Sequence, residues 1–184
     1  MSINTSQYIV SLSGTINDTF DLMTPTANYD LTLTQTITNG TGENQGNIVY
    51  SDSGDISASG SVTIDLISTV TDVYNHQLNM SELKLIEIRN TSDQETGGAT
   101  SSIIKVETNG IGFLTGTNEY LTIGPGSAFT TSSLVSGWAL SAGSADTITI
   151  TNQNASAHAA YEIMVMGVQS NESSSSSSFS SESS

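Results

Sequence analysis

Thr147-Ile148-Thr149-Ile150-Thr151 decides how this chain is read. Its isoleucines recur every second residue, and each stands between threonines. Successive strand side chains point to opposite faces, so this pattern gives one apolar face for a core and one threonine face for water. The same alternation recurs in Leu31, Leu33 and Ile37 among Thr32, Thr34 and Thr36. It recurs again in Val62, Ile64 and Leu66 around Thr63 and Asp65, and in Leu121 and Ile123 around Thr122. Turn clusters separate these runs: Asn39-Gly40-Thr41-Gly42, Ser53-Gly54-Asp55, Gly97-Gly98, Asn109-Gly110, Gly124-Pro125-Gly126 and Ser141-Ala142-Gly143. Pro25 and Pro125 are the two prolines, and neither interrupts an alternating run. Abundant Ser, Thr, Asn and Gly compete with or loosen helical backbone, whereas Thr, Val, Ile and Tyr fit a pleated surface. Many short strands between regular turns predict an all-β chain, a single antiparallel β-sandwich of jelly-roll type. Thr71 to Glu82 is the one stretch that suggests a short helical turn.

Two segments depart from simple alternation. In Leu83-Lys84-Leu85-Ile86-Glu87-Ile88-Arg89 the phase flips between Leu85 and Ile86, which calls for a bulge or for cover on both faces. In Tyr161-Glu162-Ile163-Met164-Val165-Met166 one face carries Tyr161, Ile163 and Val165, and the other carries Met164 and Met166. A strand of a two-sheet sandwich has one core face. The methionine face therefore needs a local loop or another subunit over it.

The ends differ from the middle. Residues 1–28 read as an N-terminal arm with a strand around Tyr8, Val10 and Leu12, able to add to its own sheet or a neighbour's. Residues 29–169 form the sandwich domain. From Ser170 to Ser184 the chain is Ser and Glu with one Asn and one Phe, too poor in apolar groups to offset its ordering entropy, and a disordered tail is expected.

Three bases against eighteen acids give 184 residues a formal charge of −15. Lys84, Arg89 and Lys105 are the cations. Phosphate backbones and anionic lipid surfaces both demand many more, so neither nucleic acid nor a membrane is an expected partner. No apolar stretch is long enough to span a bilayer as a helix. With no cysteine, disulfides and thiolate chemistry are excluded. The opening residues, from Met1 to Val10, lack the basic and apolar regions of a secretory signal, so synthesis in the cytoplasm is expected. Seven Asn-x-Ser/Thr triplets then read as chance in so Asn- and Thr-rich a chain.

Catalytic patterns are weak. His76 and His158 both read as loop histidines, and no Gly-x-Ser-x-Gly elbow accompanies the many serines. Acid pairs occur at Asp52 with Asp55, Glu82 with Glu87, and Asp93 with Glu95, as eighteen acids on a small surface make inevitable. Asp52-Ser53-Gly54-Asp55 lacks the spacing of a calcium loop. Neither metal nor cofactor is expected, nor is the chain expected to be an enzyme. Trp138 either plugs one end of the sandwich or, if exposed, offers a stacking surface to a sugar. Asp72 and Asp146 lie beside strand starts, where they can accept backbone N–H groups. Tyr161 opens the last strand, with its phenol free to anchor on a loop carbonyl.

One set of segments goes together. It comprises Asn39-Gly40-Thr41-Gly42-Glu43-Asn44-Gln45, Val49-Tyr50-Ser51-Asp52, Ala58-Ser59-Gly60 with Ile64-Asp65-Leu66, and Thr71-Asp72-Val73-Tyr74. It continues with Leu83 to Asn90, Ile123-Gly124-Pro125-Gly126, Ser136-Gly137-Trp138, Ala142 to Asp146 and Tyr161-Glu162-Ile163. In this order and spacing, from about Leu31 to Gly167, the chain resembles a family of small, mostly uncharacterised proteins of tailed bacteriophages and prophages that look like virion structural components. The resemblance implies a passive particle protein and brings no catalytic residues. The arm and the Ser/Glu tail depart from the family's pattern. With the charge, it leads us to expect a capsid decoration (cement) or minor head protein on the outer surface of the virion. Its expected partners are the major capsid protein or other virion proteins, and copies of itself, a trimer ahead of other states. Tyr8, Val10, Leu12, Met164 and Met166 are the expected contact residues. A receptor- or carbohydrate-binding module of a phage fibre or tail is the alternative, with Trp138 as its stacking residue.

Overall fold

A computed structural model describes residues 5–17, 26–72, 74–92, 102–116 and 119–169. Among them the chain forms strands and turns without a helix. The stretch after Thr71, which suggested a helical turn without deciding it, is a loop closed by a Thr71–Gln77 bridge. The strands are β1 (Thr5–Asn17), β2 (Thr26–Asn39), β3 (Gln45–Gly46), β4 (Ile48–Ile56), β5 (Ser61–Asp65) and β6 (Glu82–Asn90). They continue as β7 (Ile104–Thr108), β8 (Leu121–Ile123), β9 (Ala128–Ser132), β10 (Trp138–Ala139), β11 (Thr147–Asn152) and β12 (Ala159–Val168).

From β4 onward the strands make two antiparallel sheets. One runs β4, β12, β6, with β9 and the two-residue β10 end to end along the far edge of β6; the other runs β5, β11, β7, β8. With β10 set aside, the pairing is nested. The first strand pairs with the last (β4 with β12), the second with the next to last (β5 with β11), then β6 with β9, and β7 with β8. A long hairpin folded over on itself produces this wiring, which is that of a jelly roll. The sandwich predicted from the alternating runs is the fold observed.

The core lies between the two sheets. Ile148 and Ile150 of β11, Ile104 and Val106 of β7, and Ile86 and Ile88 of β6 are each fully buried in it. Each such side chain contributes about 1.5–3 kcal/mol by leaving water. Gly124-Pro125-Gly126 makes a tight turn into β9: the Ser127 N–H donates to the Gly124 carbonyl at 3.1 Å, and Gly126 has φ +69°. Proline then glycine at the two central positions is what a type II turn requires.

The phase flip in β6 has both of its expected causes. Met166 pairs with Leu85 and Gly167 with Leu83, so Lys84 is the extra residue of a bulge. The bulge returns Leu83 to the core face shared by Ile86 and Ile88. Leu85 points to the outer face and is buried there too, by chain from outside the two sheets.

That chain comes from the base of a hairpin. β1 and β2 pair over their full lengths, Thr5 with Thr38 through Asn17 with Thr26, and β2 adds a short parallel pairing to β3. The expected boundary between arm and domain, after residue 28, falls inside β2. The tail from Ser170 lies outside the described residues.

Candidate functional site

The register of the hairpin sorts its residues. On one face Tyr8, Val10 and Leu12 stand opposite Gln35, Leu33 and Leu31, with Ser6 opposite Ile37 toward the base. Farther out the same face carries Gly14 opposite Tyr29 and Ile16 opposite Ala27. The other face carries Thr, Ser, Asn and Gln with Asp30, and Ile9 is its apolar exception, opposite Thr34. The hairpin is thus an amphipathic ribbon. Leu33, halfway along the apolar face, is 52% exposed. Both strands contribute to that face, and Leu31, Leu33 and Ile37 join it although their alternation reads equally well as a sandwich strand. Nothing local in the sequence tells the two apart.

At the ribbon's base the apolar face meets the body. Ile37 is buried against Leu85, Leu134 and Met166, with Val49 beside them, as a second small core on the outer face of the sheet. This corrects the expectation for Met166: its own chain covers it, so it is not available to a subunit interface. Met164, two residues earlier on β12, is 42% exposed. It borders a groove of about 560 Å³ with Ser51, Ser53, Glu87, Arg89 and Glu162. That outer face is charged. Arg89 Nε lies 2.8 Å from Glu87 Oε1, and its Nη1 lies 3.8 Å from Glu162 Oε2. Of the expected contact residues, Tyr8, Val10 and Leu12 belong to β1 and Met164 to β12.

Trp138 is anchored on the body. It packs on the main core with Phe113 edge-on at 5.6 Å, and a Cβ on Gly112 would lie 2.7 Å from its ring. Trp138 is half-buried, so this packing covers part of its ring and leaves part accessible. His158 is exposed, and its carbonyl accepts a hydrogen bond from the Ser102 hydroxyl. His76 is exposed as well, with Nδ1 3.2 Å from Asp72 Oδ2. Asp52 and Asp55 fall on opposite faces of β4, as an odd separation in a strand dictates. Glu82 is engaged by Lys84 and Glu87 by Arg89, while Asp93 and Glu95 lie outside the described residues. Among the described residues no three His, Asp or Glu side chains gather as metal ligands would.

The strongest polar cluster is one that the sequence did not reveal. The Tyr161 phenol donates to Asp52 Oδ2 at 2.7 Å, across the β4–β12 pair, rather than to a loop carbonyl. Burial, with the neighbouring Asp52 carboxylate, pushes the Tyr50 phenol up to about 12. Burial and the bond to Asp52 push Tyr161 up as well. Both phenols stay neutral at any ordinary pH. Their arrangement ties the edge strand β4 to β12. The cations are also engaged within the body. Lys84 Nζ is 2.7 Å from Glu82 Oε1, Lys105 Nζ is 2.8 Å from Glu107 Oε2, and Arg89 is shared between Glu87 and Glu162.

No family model matches this chain, and no curated protein matches it. Among solved structures it is similar to one described as the crystal structure of FLHE, at 11% identity and a TM-score of 0.37, over 70% of this chain and 100% of that one. A likeness at this level carries no argument about function.

Proposed function

We propose that this chain is a non-enzymatic structural protein of a bacteriophage particle, a decoration (cement) or minor head protein bound to the outer capsid surface by protein–protein contacts. The observation that carries the reading is the ribbon. The jelly roll closes on its own core, yet β1 and β2 extend beyond it with an apolar face on which Leu33 is half exposed. A two-stranded hairpin alone in water is marginal, so such an arm completes its fold against protein. The resemblance of residues 31–167 to phage virion components points the same way. The charge favours the outside of a head: a chain at −15 whose cations already pair with its own carboxylates is repelled by packaged DNA.

Quantitative mass spectrometry of purified particles, with immunogold labelling, tests the reading. Hundreds of copies on the head are the expected result. A few to a few tens at a fibre or tail tip transfer the protein to the receptor-binding alternative, and absence from particles overturns the proposal.

A further inference from the structure

We propose that the free edge of β4 accepts an extended segment of a different protein, added as a further strand and carrying Lys or Arg at alternate positions. This goes beyond the particle reading, which names no site on the body, and does not depend on it.

The hydrogen bonds of the neighbouring strands define the edge. The Thr91 N–H donates to the Ala160 carbonyl at 3.0 Å, so Ala160 turns its backbone groups toward β6. Backbone direction alternates along a strand. Tyr161, Ile163 and Val165 therefore turn theirs toward β4, where they meet Gly54, Asp52 and Tyr50. The intervening residues Ser51, Ser53 and Asp55 point their N–H and C=O groups away from β12. Among the described residues no strand pairs with that side of β4. Its nine residues run in unbroken register with β12, with neither the proline nor the bulge that commonly closes an edge to newcomers.

Hollows flank this edge on both sides. On the outer face lies the groove of about 560 Å³, with Ser51, Ser53 and Glu162 in its lining. On the inner side a cleft of about 340 Å³ opens between β4 and β5, the edge strands of the two sheets. Ser51 and Asp52 line both. Side chains of an added strand alternate between faces, so one set enters the groove and the other the cleft. Main-chain bonds supply the affinity in this mode of recognition, and the hollows supply the selectivity.

Charge selects the occupant. Tyr50, Val62 and Val70 give the cleft apolar walls, Asp52 and Asp72 give it negative charge, and its described lining holds no cation. A Lys or Arg side chain matches both with its apolar stem and charged head. A second copy of this chain is a poor fit. It brings its own Asp52 and Asp55 to the same edge, and its Lys84, Arg89 and Lys105 are already paired with Glu82, Glu87 and Glu107. The chain's own residues 170–184 contain Glu172 and Glu182 and no base, so they too are repelled. A basic segment of another protein is the occupant that remains.

The full-length protein is titrated with nine-residue peptides, matched to the length of β4, in which Thr alternates with Lys, Val or Glu. Amide NMR and hydrogen exchange follow each complex. The Lys peptide should bind with a Kd below about 1 mM and slow the exchange of the Ser51, Ser53 and Asp55 amides. The Glu peptide should bind at least about tenfold more weakly. Ser53→Pro removes an outward N–H where an edge strand tolerates proline, and should weaken the Lys peptide at least about tenfold while the amide spectrum of the body holds. Asp52→Asn should narrow the gap between the Lys and Val peptides. No binding by the Lys peptide overturns the proposal, as does a Glu peptide that binds equally well. Binding that leaves the exchange of those three amides unaltered overturns it too, a reading made on the parent protein and so independent of how Ser53→Pro folds. The experiment involves no phage particle. Peptide binding by a protein absent from virions sinks the particle reading alone, and a virion protein that binds no peptide sinks this proposal alone.

Discussion

The Tyr161 phenol reaches across from β12 to the Asp52 carboxylate of β4 at 2.7 Å, and the two residues are 109 positions apart in the chain. Asp52 also lies beside Tyr50, so one edge-strand acid restrains two phenols.

That sharing is visible in an ultraviolet titration of the six tyrosines. Two should ionise well above the ordinary value of about 10. In Asp52→Asn both should move down but stay above it, because burial, the larger cause for each, is unchanged. A folded phenol pKa above its unfolded value means that the fold holds the neutral form. The stability so gained is complete below about pH 10 and is lost as pH climbs through the folded value. All six tyrosines titrating near 10 in the native parent protein would refute the arrangement.

The Lys84–Glu82 pair should respond unequally to its two deletions. Lys84 is almost fully buried, with Nζ on Glu82 at 2.7 Å and 3.4 Å from the Val135 carbonyl. Lys84→Met keeps the buried stem and removes the charge, so a change within about 1 kcal/mol is expected. Glu82→Ala leaves the ammonium in place with its counter-charge gone and should cost about 3–5 kcal/mol. Urea denaturation of both variants gives the comparison, and equal losses would contradict it.

Gly167→Ala should destabilise the bulge. A Cβ there would lie 2.5 Å from the Glu82 carbonyl oxygen and 3.1 Å from the Met80 sulfur. Backbone cannot retreat cheaply, so a loss of about 1–3 kcal/mol is expected in the same denaturation experiment. A variant as stable as the parent would show that the strands tolerate a wider spacing there.

Acid should weaken the loop between β5 and β6. Burial alone would raise the Asp72 carboxyl, but the N–H groups of His76 and Tyr74 and the His76 ring outweigh it and hold it below the usual carboxylate range. A lowered folded value gives stability that is present above the unfolded value of about 3.9 and lost as pH falls through the folded one. Asp65 is lowered in the same way: partial burial is outweighed by Ser68, through its hydroxyl and N–H, and by the Ile67 N–H. The fall in Tm between pH 6 and pH 3 should therefore be smaller in Asp72→Asn than in the parent protein. An identical fall would remove Asp72 from the account.

The strands of the body were legible where one face is buried and the other wet. Ile148 and Ile150 between threonines, or Val62 and Ile64 around Thr63, read as strands because a period of two has no other explanation. Asp72 and Asp146 were legible as turn acceptors: Asp72 takes the Tyr74 and His76 N–H groups, and Asp146 takes that of Gly143. The bulge was legible only as a flip of phase. Its position at Lys84, ahead of the Leu85–Ile86 step where the pattern flips, depends on Gly167 allowing close approach from another strand. The ribbon was hidden for a similar reason. Tyr8, Val10 and Leu12 announced a strand, but its pairing with residues 26–39 is a long-range event with no local mark. Long-range polar ties escaped altogether. Asn152 donates to the carbonyls of Ile56, Ser57 and Ala157, joining two loops through a residue that reads simply as the polar end of a strand.

The nested wiring sets the chain's entry to the sandwich beside its exit. Asn47 and Gln169 are clasped there by reciprocal hydrogen bonds of 2.9 and 2.7 Å, just outside the Ile48–Gly167 pair. Tension applied between the leading and trailing segments would pull neighbouring strands apart from one end, opening their bonds one after another instead of shearing them together. Mechanical resistance then rests on that clasp and on Ile37 seated against Met166, while most of the jelly roll stays unloaded.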